Sequence, residues 1–170
     1  AMTRLLFVLF FFGCGSSGTF FESAGSSGKI LTGVNEGNEA IAFSGTTRTG
    51  RDFELETHRG KPVVMIFWAS WCGPCMQEIP HINALVKEYG DGVQIMGINM
   101  SEAKAKVYMT QKKMGMNYET VMDPKGEIAN AWRVRKLPLM VVVDKAGVIR
   151  FRGIGNEQKL KNLLDRLVAG

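Results

Sequence analysis

Metal ligands, long apolar runs and proline are all scarce in this chain. Histidine stands only at 58 and 81, cysteine only at 14, 72 and 75, and there are five prolines in 170 residues. A structural zinc site built on Cys72 and Cys75 would need a second Cys/His pair at ligand spacing, and Cys14, His58 and His81 do not supply one. No metal site is assigned. The longest unbroken apolar run, residues 5–12, is too short to span a bilayer as a lasting helix. The net charge is +5, but its positive residues are scattered, with modest clusters at Lys104/Lys106, Lys112/Lys113 and Arg133/Arg135/Lys136. No basic stripe is interleaved with aromatic residues, which argues against a nucleic-acid surface. No internal repeat occurs. Ten methionines are present, but their spacing forms no compact cluster of thioether ligands, and core filling is the simpler use.

What is there centres on Trp71-Cys72-Gly73-Pro74-Cys75. It directly follows Val63-Val64-Met65-Ile66-Phe67-Trp68, a short bounded run rich in β-branched and aromatic residues, which predicts a buried strand. From Pro74 to about Tyr89 the pattern turns helical, and proline suits a first helical turn, where a missing N–H costs little. Both cysteines therefore stand where a strand hands over to a helix N-terminus. Unpaired N–H groups and the positive dipole end stabilise a thiolate there, and the thiolate is the nucleophile of thiol–disulfide exchange. Cys72 is expected to be the exposed attacking thiol. Cys75, one turn in, is expected to be the more buried resolving thiol.

Phe67-Trp68-Ala69-Ser70-Trp71-Cys72-Gly73-Pro74-Cys75 resembles the active-site segment of the thioredoxin superfamily. With Glu78 and Pro80 it resembles the extracytoplasmic TlpA/ResA-like branch, over residues 41–170. The resemblance implies an α/β thioredoxin-like fold: a central mixed sheet of about five strands flanked by helices on both faces, with an N-terminal hairpin and a central helix–strand insertion. It implies that Glu78, on the helical face of Cys75, exchanges a proton with that thiol; thioredoxin's own strand aspartate is replaced here by Ile66. A glutamate near a helix start is also favourable to the dipole without any such role. Leu137-Pro138 matches the superfamily's cis-proline, whose loop packs beside the cysteines. Trp71, Gly73, Pro74 and the backbone of Leu137 are then the expected client-binding residues, Leu137 by strand addition. Many relatives carry Thr at the Leu137 position.

The N-terminus has its own logic. Met2-Thr3-Arg4, the apolar run and Gly13-Cys14 describe a secretory signal. The segment resembles a lipobox with Cys14 as the lipidated residue, although Phe11 and Phe12 depart from the usual pattern. Residues 1–14 are taken as this signal, 15–40 as a flexible Gly/Ser-rich tether, and 41–170 as the folded domain.

Along the domain, 41–44 and 53–55 predict a hairpin around Thr49-Gly50-Arg51. Further strands are expected at 93–99, 118–122, 139–143 and 148–152, and helices at 102–114, 127–134 and 157–168. The expected function is an extracytoplasmic thiol–disulfide oxidoreductase, in the periplasm or on the outer membrane face, that reduces client-protein disulfides. The resemblance adds possible work in cytochrome c maturation and a membrane-bound electron donor. No cofactor is required, and a monomer is expected. The alternatives are a periplasmic oxidant or isomerase, and a copper-delivery chaperone. A peroxidase of the peroxiredoxin kind is excluded because no Thr-x-x-Cys occurs.

Overall fold

The computed structural model describes residues 30–170. Its centre is a five-stranded sheet in the order β7-β6-β5-β8-β9. The central strand β5 (Val63–Trp68) pairs in parallel with β6 (Gln94–Met100), and β6 pairs in parallel with β7 (Glu119–Asp123). On its other side β5 pairs antiparallel with β8 (Leu139–Val143), which turns back into β9 (Ile149–Gly153). Every residue of β5 is buried, which is why the run carries no polar alternation.

Alternate side chains of β5 feed two cores. Val63, Met65 and Phe67 pack with Ile98, Val141 and the buried Trp132. Val64 and Ile66 point the other way, onto Ile82 and Leu85 of α1 (Gly73–Tyr89) and Leu160 and Leu164 of α4 (Glu157–Ala169). A third, smaller cluster joins Trp68, Cys72 and Cys75 to Val107 of α2 (Lys104–Met114). The short helix α3 (Glu127–Ala131) follows β7, and Asp123 holds its start by accepting from the N–H groups of Ile128 and Ala129 at 3.2 and 2.8 Å. Asn156 caps α4 by accepting from the Lys159 N–H at 2.8 Å. The helix–strand insertion expected between Asn99 and Asp123 is α2 with β7.

The hairpin is present but shifted. Its strands are β3 (Ser44–Thr46) and β4 (Asp52–Glu54), closed through Gly50 in the left-handed region at φ 90°. Arg48 N–H donates to the Thr120 carbonyl at 2.8 Å and fixes the hairpin on the edge strand β7. Among the described residues, secondary structure begins before the Ile41 boundary drawn from sequence. Residues placed in the tether form β1 (Thr32–Gly33) and β2 (Glu39–Ala40), and Val34 and Ala40 are buried in the core. The Gly37 N–H donates to the Ile149 carbonyl at 2.8 Å, so this segment lies along the β8–β9 turn rather than free of it. Ile30 and Leu31, just before β1, are exposed. The signal-like segment, Cys14 and most of the tether lie outside the described residues. No helix among the described residues is long and apolar enough to cross a membrane.

Candidate active site

The site grows from the end of β5. After Trp68 the chain turns through Ala69 and Ser70, and the Cys72 N–H donates to the Ala69 carbonyl at 3.1 Å. Cys72 is the N-cap of α1: its backbone is extended, and its Sγ accepts from the Cys75 N–H at 3.1 Å. Pro74 occupies the first turn, as its fixed φ and absent N–H favour. Cys72 and Cys75 are joined in a disulfide. The expected contrast in exposure is absent, since Cys72 is 5% and Cys75 4% exposed. The sulfurs face each other and sit under Trp68, Val107 and Leu137, so burial does not separate them. Their placement on the helix does, because only Cys72 holds the capping position.

The cis-proline loop lies opposite. Leu137-Pro138 is a cis peptide, and Pro138 is buried. Trp71, Cys72, Gly73 and Pro74 form one wall of a cleft of about 510 Å³; Val134, Arg135, Lys136 and Leu137 form the other, and Met100 also lines it. The structure thus gathers Trp71, Gly73, Pro74 and Leu137 around Cys72, and Trp71 stands 69% exposed at the opening. Cys75 does not line the cleft. A larger cavity of about 590 Å³, beside Arg48, Tyr108 and Gln111, contains neither cysteine.

Glu78 is half-buried on α1 and pairs with His81 at 3.3 Å, so the two side chains read separately in the sequence form one group. Met76, Met116 and Met122 pack against the cluster that holds the sulfurs.

One residue of the site was not singled out from sequence. Glu102 reads as an ordinary helix start, yet it is buried beneath the active-site turn. Its carboxylate accepts from the Ser70 N–H at 2.7 Å, from the Ser70 hydroxyl, and from Asn99 Nδ2 at 2.9 Å. Lys106 Nζ closes the set at 3.0 Å. Burial alone would raise the Glu102 pKa. The hydrogen bonds from the Ser70 and Asn99 side chains, the Ser70 N–H and Lys106 outweigh it and hold the carboxyl at about 2. The preceding Ser101 takes φ 56°, a left-handed conformation costly for a non-glycine residue, as the chain turns to deliver Glu102 to Ser70. Asn99 and Glu102, three apart at a strand end, were the available signal; the partner, 32 residues upstream, was not.

Comparison with known proteins agrees with this geometry. Residues 37–152 match the AhpC/TSA family. The thiol-disulfide oxidoreductase ResA of Geobacillus kaustophilus is 34% identical over 120 residues, covering 70% of this chain and 69% of that protein. The ResA of Geobacillus thermodenitrificans is 32% identical over 139 residues, covering 80% of each. Among solved structures, a thiol:disulfide interchange protein of Chlorobium tepidum superposes with a TM-score of 0.68 at 25% identity, over 76% of this chain and 95% of its own. A secreted Mycobacterium tuberculosis disulfide oxidoreductase homologous to DsbE superposes at 0.66 and 23% identity, over 74% and 96%, which speaks to the fold alone. The family match is broader than one reaction, and within it this chain keeps its two thiols in Cys-Gly-Pro-Cys, with Ala69 three residues before Cys72. The chain belongs to the AhpC/TSA family, on its thioredoxin-like side, and is a thiol–disulfide oxidoreductase of the ResA type.

Proposed function

We propose that this oxidoreductase works as a reductant of client-protein disulfides outside the cytoplasm, with Cys72 as the nucleophile and Cys75 as the resolving thiol. The observation that carries the assignment is the Cys75 N–H directed at Cys72 Sγ at the helix N-terminus. In the reduced protein that N–H and the dipole end favour the Cys72 thiolate. The thiolate attacks a client disulfide; that S–S bond breaks, one client sulfur leaves as thiolate, and a mixed disulfide forms. Cys75 loses its proton and attacks Cys72 Sγ, the second client sulfur leaves, and the Cys72–Cys75 disulfide closes. Two electrons pass to the client. A dithiol donor, membrane-bound in this reading, returns them.

Glu78 takes the proton from Cys75 in this scheme. It lies one helical turn after Cys75, and its pairing with His81 gives the proton a route to solvent. Glu78→Gln is expected to slow release of client from a preformed mixed disulfide roughly tenfold and to alter its pH profile. Stopped-flow release across the acidic to alkaline range checks this, and an unchanged profile returns Glu78 to a helix-dipole role.

Apocytochrome c thiols are the client class the family resemblance suggests, and a lipid on Cys14 would hold a monomeric domain near the membrane. The direction of the reaction is tested by the reduction potential of the Cys72/Cys75 couple, equilibrated against dithiothreitol or glutathione. A value near or below thioredoxin's, about −270 mV, together with insulin reduction, is expected. A value close to that of the strong periplasmic oxidants, about −120 mV, would turn the protein into a disulfide donor, with Leu137 as the first residue to examine.

A further inference from the structure

We propose that the cleft beside Cys72 selects client disulfides flanked by acidic residues. The inference rests on the reductase reading and adds the chemistry of the client to it. Trp71, Val134, Leu137 and Met100 give the cleft an apolar lining, suited to an extended peptide but indifferent to charge. The charge comes from Arg135 and Lys136, both exposed on the wall facing Trp71. No carboxylate among the described residues lines the cleft, and neither cation has an ion-pair partner among them.

The backbone that leads into these cations is anchored. Trp132 is buried, and Arg152 Nη2 donates to the carbonyls of Trp132 and Arg133 at 2.7 and 3.3 Å. The Val134 N–H donates to the Ala129 carbonyl at 2.9 Å. The two residues that follow leave a fixed stretch of chain, which limits the backbone entropy lost when their charges meet a client. An acidic residue beside the client cysteine meets two cations as its disulfide reaches Cys72, whereas a basic one meets like charge. Charges of this kind act mainly on encounter rate and on partner choice, and salt screens them.

The test uses three peptides with the same apolar residues around one intramolecular disulfide, flanked by glutamate, serine or lysine pairs. Hydroxyethyl disulfide, neutral and without flanks, is the reference substrate. The full chain is reduced with dithiothreitol, freed of it, and mixed with each, and the rate of its oxidation is followed by tryptophan fluorescence. At low salt the glutamate peptide is expected to react about tenfold faster than the lysine peptide, and the gap is expected to close at high salt. In the double variant Arg135→Glu/Lys136→Glu the glutamate-to-lysine ratio is expected to fall below one; a ratio is read because it cancels any general loss of rate. Equal rates for the three peptides, with hydroxyethyl disulfide still reduced, overturn the acidic preference and leave the oxidoreductase intact. A preference that survives charge reversal or high salt also overturns it. Failure to reduce any of the four substrates removes the reductase reading and the preference with it.

Discussion

Cys72→Ser is expected to abolish insulin-disulfide reduction, by about three orders of magnitude or more, while Cys75→Ser accumulates covalent complexes with clients. A serine hydroxyl at position 72 would keep the capping contact with the Cys75 N–H, so the variant should fold. What it loses is the thiol, whose thiolate is the nucleophile of exchange. In Cys75→Ser the first attack proceeds and the second is absent, so the mixed disulfide outlives the reaction. Non-reducing electrophoresis of each variant against a disulfide-bonded client reads both outcomes. Complexes from Cys72→Ser and none from Cys75→Ser would reverse the two roles. The test is needed because both sulfurs are nearly equally buried in the oxidised protein, and they differ only in their places on α1 and in Cys72 alone lining the cleft.

How much of this was legible in sequence follows from how local each determinant is. The run 63–68 is buried on both faces and could be recognised without knowing its neighbours, and it is β5. The start of α1 is announced by Pro74 and the end of the strand before it. Leu137-Pro138 opens β8 and is cis, as the resemblance implied. Signals weaken where burial is partial. The hairpin was placed by its apolar residues, Ile41 and Phe53, but its ladder pairs Ser44–Thr46 with Asp52–Glu54, in which Phe53 is the one apolar side chain, too little to set the register. Residues 32–40 looked like tether because Gly and Asn recur there and only Val34 and Ala40 are apolar. Their attachment runs through backbone groups, such as the Gly37 N–H on the Ile149 carbonyl, which composition does not register.

The same reasoning separates the site residues. Trp71, Cys72, Gly73 and Pro74 form one contiguous stretch, and Leu137 came through the resemblance. Arg152 was invisible as a support of the cleft because its guanidinium reaches back 20 and 19 residues to two carbonyls. Glu102 was taken for a helix-start residue, since a glutamate there is unremarkable. Only the turn through Ser101 reveals that it faces inward, against the loop that carries Cys72.

Glu102→Gln is expected to cost about 3 kcal/mol of stability at neutral pH, and the cost should disappear in acid. The ordinary glutamate value is 4.5 and the folded value about 2; each unit of difference is about 1.4 kcal/mol between the two protonation states. Because the folded pKa is depressed, the stabilisation is fully present above the unfolded pKa and is lost as pH falls through the folded one. The gap between wild type and variant should hold from neutral pH down to about 5, shrink to about half near pH 3, and close near pH 2. Urea unfolding at each pH measures it. A gap that does not change with pH would mean that shape, not charge, holds Ser70. The cost should also reach the chemistry, because Ser70 lies two residues before Cys72 and both its N–H and its hydroxyl end on this carboxylate. Each carboxylate oxygen takes two of the four donors, so with an amide at 102 two of them meet another donor, and the turn that sets Cys72 at the helix N-terminus loses a fixed point. The variant should therefore reduce disulfides more slowly even where it is fully folded. Ser70→Ala combined with Glu102→Gln should add less than the sum of the two single losses, since both remove the same contact.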